Sequence, residues 1–451
     1  MARPTKVLGE ARGSWLGRQF ALIRRSTRGV GPVTVGVLIA GGCTYGFLGV
    51  TARAIGPEEF NAVSALWALV FTAGPGLFLP LQQELGRSLA ARVADSSGAS
   101  DVFRHGLLPV VFLVIGAIVA TLLAGPLLVD HVLGGSWLLF LALEISIVSF
   151  ATSFVARGLL SGLGQFVGFA RVVAGEAAVR LVLAVVLAVA GVDDAGPYCL
   201  AIALSPFVSV AALWSWRRPP SIPPGPPISR RSLARALSYL LAGSLCAQGL
   251  ANAGPIVVEI MAIDGQGAEA GRFLAALMIA RLALYLFQAV QAALVPNLAA
   301  MAKSGHLDEF KAAVRNLVRV IGALTVVGSI GGAVLGPTVV EVMFGDGYPV
   351  GARTMAFLTG ASMLYVLALA VSGALIALEG HRWNSGIWAS ALAAFAIGLL
   401  ASDELFLRVE IAYLAGSAVA AALQLVVVVR TARRWTRGPD QHGSVEPRTH
   451  A

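Results

Sequence analysis

Glu176 and Arg180 stand four residues apart in an otherwise apolar stretch, while Arg281 stands in another with no acidic residue one turn away. On a helix, residues four apart share a face, so Glu176 and Arg180 can neutralise each other and fix helix packing. An ionisable group inside a lipid-crossing helix is costly unless it is paired or hydrated, which makes each one a candidate for function. Arg281 therefore needs either a partner from another helix, such as Glu259, or a water-filled cavity where it can attract an anionic diphosphate headgroup. Glu144 and Glu259 are the ion-coupling candidates, because alternating access needs a carboxylate whose proton or sodium occupancy can change. Both also read as residues near the ends of their spans.

The elements that must position these groups follow from composition. Of 451 residues, 57% are hydrophobic and only 13% charged, more apolar surface than a soluble core can bury. A helix needs about 20 mostly apolar residues to cross the hydrocarbon. Such stretches recur at 31–54, 60–81, 106–129, 137–157, 169–190 and 197–216, and again at 237–262, 270–295, 317–336, 354–377, 385–401 and 409–429. The expected fold is an all-α polytopic membrane protein with about twelve transmembrane helices in two six-helix bundles, 31–216 and 237–429. A basic segment 1–30, a Pro/Arg-rich linker 217–236 and a basic tail 430–451 complete the chain. No cleavable signal peptide is expected, since the first apolar run begins only at Val30 and is full length. Before it, Trp15, Leu16, Phe20 and Ile23 share a helical face suited to the headgroup region, although a disordered basic tail fits equally.

Positive residues set the orientation. Under the twelve-span reading, 27 of the 33 Lys and Arg fall on one side, 4 on the other, and Arg180 and Arg281 inside spans. Both ends and the linker are thus expected in the cytoplasm of a bacterial inner membrane. The net charge of +9 reflects this bias and anionic lipid at that surface, so no nucleic-acid partner is expected. Cys43, Cys199 and Cys246 lie in or beside spans without paired spacing, indicating neither disulfide nor metal chemistry, and no cofactor is expected.

Two halves that both start in the cytoplasm imply a parallel repeat. Traces of one are visible: LIAGGC at 38–43 against LLAGSLC at 240–246, and GLLSGLGQ at 158–165 against GALIALEG at 373–380. Helix breakers mark hinge candidates at Gly41 and Gly42, at Gly74, Pro75 and Gly76, and at Gly254 and Pro255. Their alternative role is close packing of small residues.

The stretch from Thr51 to Ala94 resembles the opening of polysaccharide flippases in the multidrug/oligosaccharidyl-lipid/polysaccharide exporter superfamily. In that family an Arg-x-Ile/Leu-Gly-Pro-x-x-Phe/Tyr turn follows the first span; here Arg53, Ile55, Gly56, Pro57 and Phe60 fill it, and Gly86 and Ala90 fill a later cytoplasmic element. Gly162, Gly164 and Gln165 resemble the family's turn between spans 4 and 5. The resemblance implies a flippase of a lipid-linked oligosaccharide or polysaccharide precursor, working beside glycan-assembly membrane proteins. It also adds Arg53 to Arg281, Arg180 and Glu176 as substrate-cavity candidates. The two further C-terminal spans usual in lipid II flippases are not seen, which points away from that cargo.

Other classes fit less well. Multidrug cation exporters of the superfamily commonly resemble one another in a first-span carboxylate, and Gly31 to Ala54 holds none. The loop after the second span, LGRSLAARVADSSG, lacks the sugar-facilitator signature. A membrane glycosyltransferase would gather acids on a long outer loop, whereas Glu58, Glu59, Asp193, Asp194, Asp403 and Glu404 sit in brief connections, so an enzyme is not expected. A non-transporting scaffold that recruits partners through basic tails is the remaining alternative.

Overall fold

A straight helix over residues 31–90 would be about 90 Å long, three times the roughly 30 Å hydrocarbon thickness, so the first apolar segment must turn back on itself. In the computed structural model, which describes residues 10–94, 100–215, 230–262, 268–282, 307–378 and 380–435 together with 284, 287 and 301, it does so at a single residue. Helix α1 (Glu10–Ala94) leaves helical geometry only at Gly56, with φ 74° and ψ 173°, a conformation open essentially to glycine alone. The two arms pack side by side, since the Phe47 and Trp67 rings stack across the break with centroids 6.1 Å apart. No loop separates the first two spans; the reversal is tighter than the sequence suggests.

The chain continues as α2 (Ser100–Leu123), α3 (Gly125–His131), α4 (Trp137–Gly162), α5 (Phe166–Val189) and α6 (Ala195–Ser215). Then come α7 (Arg230–Met261), α8 (Glu269–Ala280), α9 (Leu307–Phe344), α10 (Ala352–Ala377), α11 (His381–Gly398) and α12 (Leu405–Trp435). Among the described residues eight helices are long and apolar enough to cross a membrane, and a ninth if α2 and α3, bent by 62°, form one span. Helix α1 is one of those eight, and its two arms are each long enough for a crossing. The linker residues 217–229, the tail from 436 and most of the predicted 270–295 span beyond Arg281 lie outside the described residues.

Helix α1 packs along α4 and α5 in its own half and along α7 and α8 in the other; α10 and α12 form the core of the second half. Apolar side chains on outward faces, among them Val182, Val186, Val327 and Val334, are more than half exposed, where lipid rather than water is the solvent. Inside the first half, Gly158 and Gly162 of α4 bring its backbone against α1. A Cβ at Gly158 would stand 3.0 Å from the Gln82 carbonyl oxygen, and one at Gly162 would stand 2.7 Å from Leu89 Cβ. Small residues four apart allow such crossings in lipid, where packing replaces the hydrophobic drive.

The hinge candidates behave mostly as packing positions. Helix α1 stays helical through Gly41, Gly42, Gly74, Pro75 and Gly76, and α7 through Gly254 and Pro255. A Cβ at Gly74 would meet Phe150 at 2.7 Å, at Gly76 Leu245 at 2.9 Å and at Gly254 Phe273 at 2.5 Å. The bend lies at Gly56, which belongs to the flippase-like motif and not to the hinge set.

Gly56→Ala is expected to cost about 1–3 kcal/mol of stability. Gly42→Ala, whose Cβ meets no atom within 4 Å, should be neutral or stabilising by up to about 1 kcal/mol. Thermal unfolding of the two purified variants in detergent, compared with the parent, separates these outcomes.

Candidate functional site

In the first half three charges meet between α4 and α5. The Glu176 carboxylate accepts hydrogen bonds from Arg157 Nη2, from Ser153 Oγ at 3.1 Å and from Arg180 Nη2 at 3.3 Å. The i, i+4 pair predicted from spacing is therefore present, with a third member. Arg157, the last residue of the predicted 137–157 span and counted there with the cytoplasmic charges, lies well inside α4, because that helix continues five residues further to Gly162. Arg180 is only 2% exposed, and its Nε donates to Ser205 Oγ of α6 at 3.5 Å. Its guanidinium carbon lies 5.4 to 5.8 Å from the ring centres of Phe47, Trp67 and Phe71 on both arms of α1. The negative faces of these rings suit a guanidinium.

Arg281 sits in the second half as the residue that closes α8. It is 4% exposed; Nη1 donates to Asn252 Oδ1 of α7 at 3.3 Å and Nη2 to the Tyr413 hydroxyl of α12 at 3.5 Å. The guanidinium also lies 5.4 Å from the centre of the Tyr413 ring, and Nε is enclosed without a partner. One turn earlier, Tyr45 of α1 donates to the Met278 carbonyl at 2.7 Å, which ties the first half to this point. Glu259 is not its partner: that carboxylate accepts from Asn61 Nδ2.

Asn61 is part of a clasp around the Gly56 turn. Its Oδ1 accepts from Gly271 N at 3.0 Å, so one amide joins α1 to the end of α7 and the start of α8. Tyr348 donates to the Ala52 carbonyl at 3.0 Å, and Arg53 Nη2 donates to the Val342 carbonyl. Arg53 thus works in this clasp rather than beside Arg281 or Arg180. The rings of Phe60, Phe344 and Tyr348 fill the space between, with centroids 5.7 to 6.2 Å apart. Burial pushes the Tyr348 phenol well above its ordinary pKa, which keeps it a donor.

Glu144 lies on α4 against the Thr121 hydroxyl of α2, with both carboxylate oxygens enclosed. The sequence reading overlooks Asn252 and Tyr413, neutral residues that gain meaning only through Arg281, and Glu410, a carboxylate in α12 that is 0% exposed. A glutamate inside a predicted span is the signal that could have found Glu410.

With this geometry in hand, the chain can be compared with known proteins. No protein-family model matches it. It is 25% identical over 404 residues to an uncharacterized protein of Mycobacterium tuberculosis, covering 86% of this chain and 89% of that one. A second uncharacterized protein of the same species is 24% identical over 420 residues, covering 91% and 93%. Among solved structures it is similar to a multidrug resistance MATE family transporter of the MOP superfamily in an inward-facing conformation, with TM-score 0.65 and 15% identity over 90% of this chain and 96% of the other. A MATE structure in complex with MaL6 gives TM-score 0.67 and 15% identity over 92% and 98%. A eukaryotic MATE transporter gives 0.63 and 14% over 91% and 98%.

The architecture is therefore that of a polytopic helical membrane protein. More narrowly, its fold is similar to that of the MATE structures.

Removing the shared carboxylate should strand both arginines. Glu176→Gln is expected to cost about 3–5 kcal/mol, and adding Arg157→Gln, which removes one stranded charge, should recover part of the loss. Thermal unfolding of the single and double variants measures both steps.

Proposed function

We propose that this chain moves a lipid-linked oligosaccharide or polysaccharide precursor across the cytoplasmic membrane of a bacterium by alternating access between its two six-helix halves, with both ends of the chain in the cytoplasm. The observation that carries this reading is Arg281, a guanidinium enclosed at the meeting of α7, α8 and α12 whose partners among the described residues are all neutral. An unbalanced cation at that depth favours an anionic cargo group, and a diphosphate linking glycan to lipid is such a group. The motif around Arg53 and Gly56 supports the polysaccharide branch of the superfamily. The basic ends suit anionic lipid at the inner surface and contacts with glycan-assembly membrane proteins.

A second reading, export of small molecules, draws support from the fold neighbours, one of which is a multidrug resistance transporter. The charge balance argues against a cationic drug as the cargo. The first arm of α1 carries no carboxylate from Gly31 to Ala54, and the charge at the end of α8 is positive.

The test is leaflet distribution. Depleting the protein should make a lipid-linked glycan accumulate in the cytoplasmic leaflet, measured by surface labelling against total extracted lipid-linked sugar. The intact protein should restore it, Arg281→Lys partly, and Arg281→Ala at equal expression should lose at least tenfold in rate, about 1.4 kcal/mol or more. Normal flipping by Arg281→Ala would remove Arg281 from the cargo path. An unchanged distribution after depletion would favour the export reading or a scaffold.

A further inference from the structure

In the first half, α2 and α4 meet at one end and part at the other. Glu144 of α4 stands against the Thr121 hydroxyl, and a Cβ at Gly125, just past α2, would lie 3.4 Å from the Phe140 ring. Towards the other end a groove of about 370 Å³ lies between the two helices, with Val210 of α6 in its wall. Its lining runs from Leu107 to Ile115 on α2 and from Val148 to Leu159 on α4, at spacings of three and four on both. A face of each helix is thus turned to the other without interlocking. Val110 is buried at the floor, while Val111, Ile115 and Val148 stay 38 to 54% exposed on the open side. The one polar side chain in the lining, Thr152, donates its hydroxyl proton to the Val148 carbonyl of its own helix at 2.9 Å.

Those walls decide what can enter. Water needs two to four polar partners, and an apolar wall offers none. Eight residues along α2 and eleven along α4 make the groove about 12 to 16 Å long, close to half of the roughly 30 Å hydrocarbon thickness. Spread over that length, 370 Å³ leaves a cross-section of roughly 25–30 Å², about a third of the roughly 80 Å² taken up by a helix about 10 Å across. A partner helix is too wide, and a single hydrocarbon chain fits. Charge at the end of the groove selects the head. Arg104 stands on α2 one turn before Leu107, and Arg217 and Arg218 follow α6 in the sequence, against one acid, Asp101. Arg157 on α4 is committed to Glu176. Basic residues where helices reach the cytoplasmic boundary suit an anionic headgroup.

We infer that this groove holds one acyl chain of an anionic phospholipid of the cytoplasmic leaflet, with the headgroup at the basic ends of α2 and α6. The inference uses the membrane orientation proposed above and owes nothing to the cargo. In lipid, helices associate through packing, so a face that side chains do not fill is held by whatever does fill it. The chain in the groove supplies the packing that α2 lacks against α4 and α6, which makes this lipid a component of the first half and not merely its solvent.

The test uses the purified full chain in detergent, with dioleoylphosphatidylglycerol or dioleoylphosphatidylcholine added at equal concentration. Phosphatidylglycerol is expected to raise the melting temperature by about 3–5 °C at saturation, and by more than phosphatidylcholine does. Val155→Phe, which puts a ring in the middle of the groove, should remove the rise, and Val186→Phe on the outward face of α5 should keep it. Arg104→Gln, Arg217→Gln and Arg218→Gln together should reduce phosphatidylglycerol to the effect of phosphatidylcholine; an undiminished preference would overturn the headgroup assignment. A rise that survives Val155→Phe overturns the site. Should Val155→Phe fail to fold, the parent decides: phosphatidylglycerol carrying a diazirine in its acyl chain is photolysed on the protein and the adducts are mapped by mass spectrometry. Adducts concentrated on 107–115 and 148–159 support the site, and adducts spread over the outward faces in proportion to exposure overturn it. A polyprenyl phosphate that stabilises the parent more than phosphatidylglycerol, with the gain lost in Val155→Phe, would overturn the phospholipid and give the groove to the cargo's tail. Neither measurement involves flipping, so failure of the leaflet assay and failure of this site are separate results.

Discussion

Glu176 holds two arginines inside the first half of the molecule, and the helices around it bury Glu176 and Arg180 almost completely. α4 contributes Arg157 and Ser153, α5 contributes Glu176 and Arg180, α6 contributes Ser205, and both arms of α1 contribute rings to the Arg180 face. Hydrocarbon offers no hydrogen bonds, so a charge placed there dictates its neighbours more strictly than apolar packing does. The reversal of α1 has a reason in these terms: Phe47 and Trp67 stand on opposite arms, and only a tight turn brings both to the same guanidinium.

The second half solves the same problem less completely. Arg281 is met by an amide and a phenol, Glu410 by the edge of a guanidinium already committed elsewhere, and three further oxygens by no protein group. Both oxygens of the Glu176 carboxylate are thus engaged, while Arg281 Nε, Ser417 Oγ and Gln424 Oε1 have no partner among the described residues. A saturated cluster gives a rigid body something to be rigid about, while unmet groups are where a ligand gains free energy by arriving. At the surface, the bidentate hydrogen bonds from Arg353 hold the Glu404 carboxyl below its ordinary range, which keeps that acid charged beside the buried one.

Much of this was legible in the residues, and the misses have physical causes. Apolar run lengths located the helices because the bilayer fixes how long they must be. The Glu176–Arg180 pair was legible because helix periodicity is local. Arg157 was not, because it reaches Glu176 from another helix nineteen residues earlier and stands at the last position of the predicted 137–157 span. Glycine proved ambiguous for the same reason. Gly74, Gly76 and Gly254 carry the same letter as Gly56, yet only the side chains opposite them, Phe150, Leu245 and Phe273, tell close approach from a bend. Glu410 lies just inside the predicted 409–429 span, close enough to the loop acids Asp403 and Glu404 to pass for one of them.

The loopless reversal at Gly56 makes the first two crossings a single bent lever. With one residue at the elbow there is no slack to absorb a difference in motion between the arms. The elbow is also gripped by the second half, through Asn61, Arg53 and the Ala52 carbonyl. A rotation of one half against the other must therefore either let go of the elbow or drag both arms together. The rings that shelter Arg180 travel with them, so strain at the rim is delivered to a charge buried far below it.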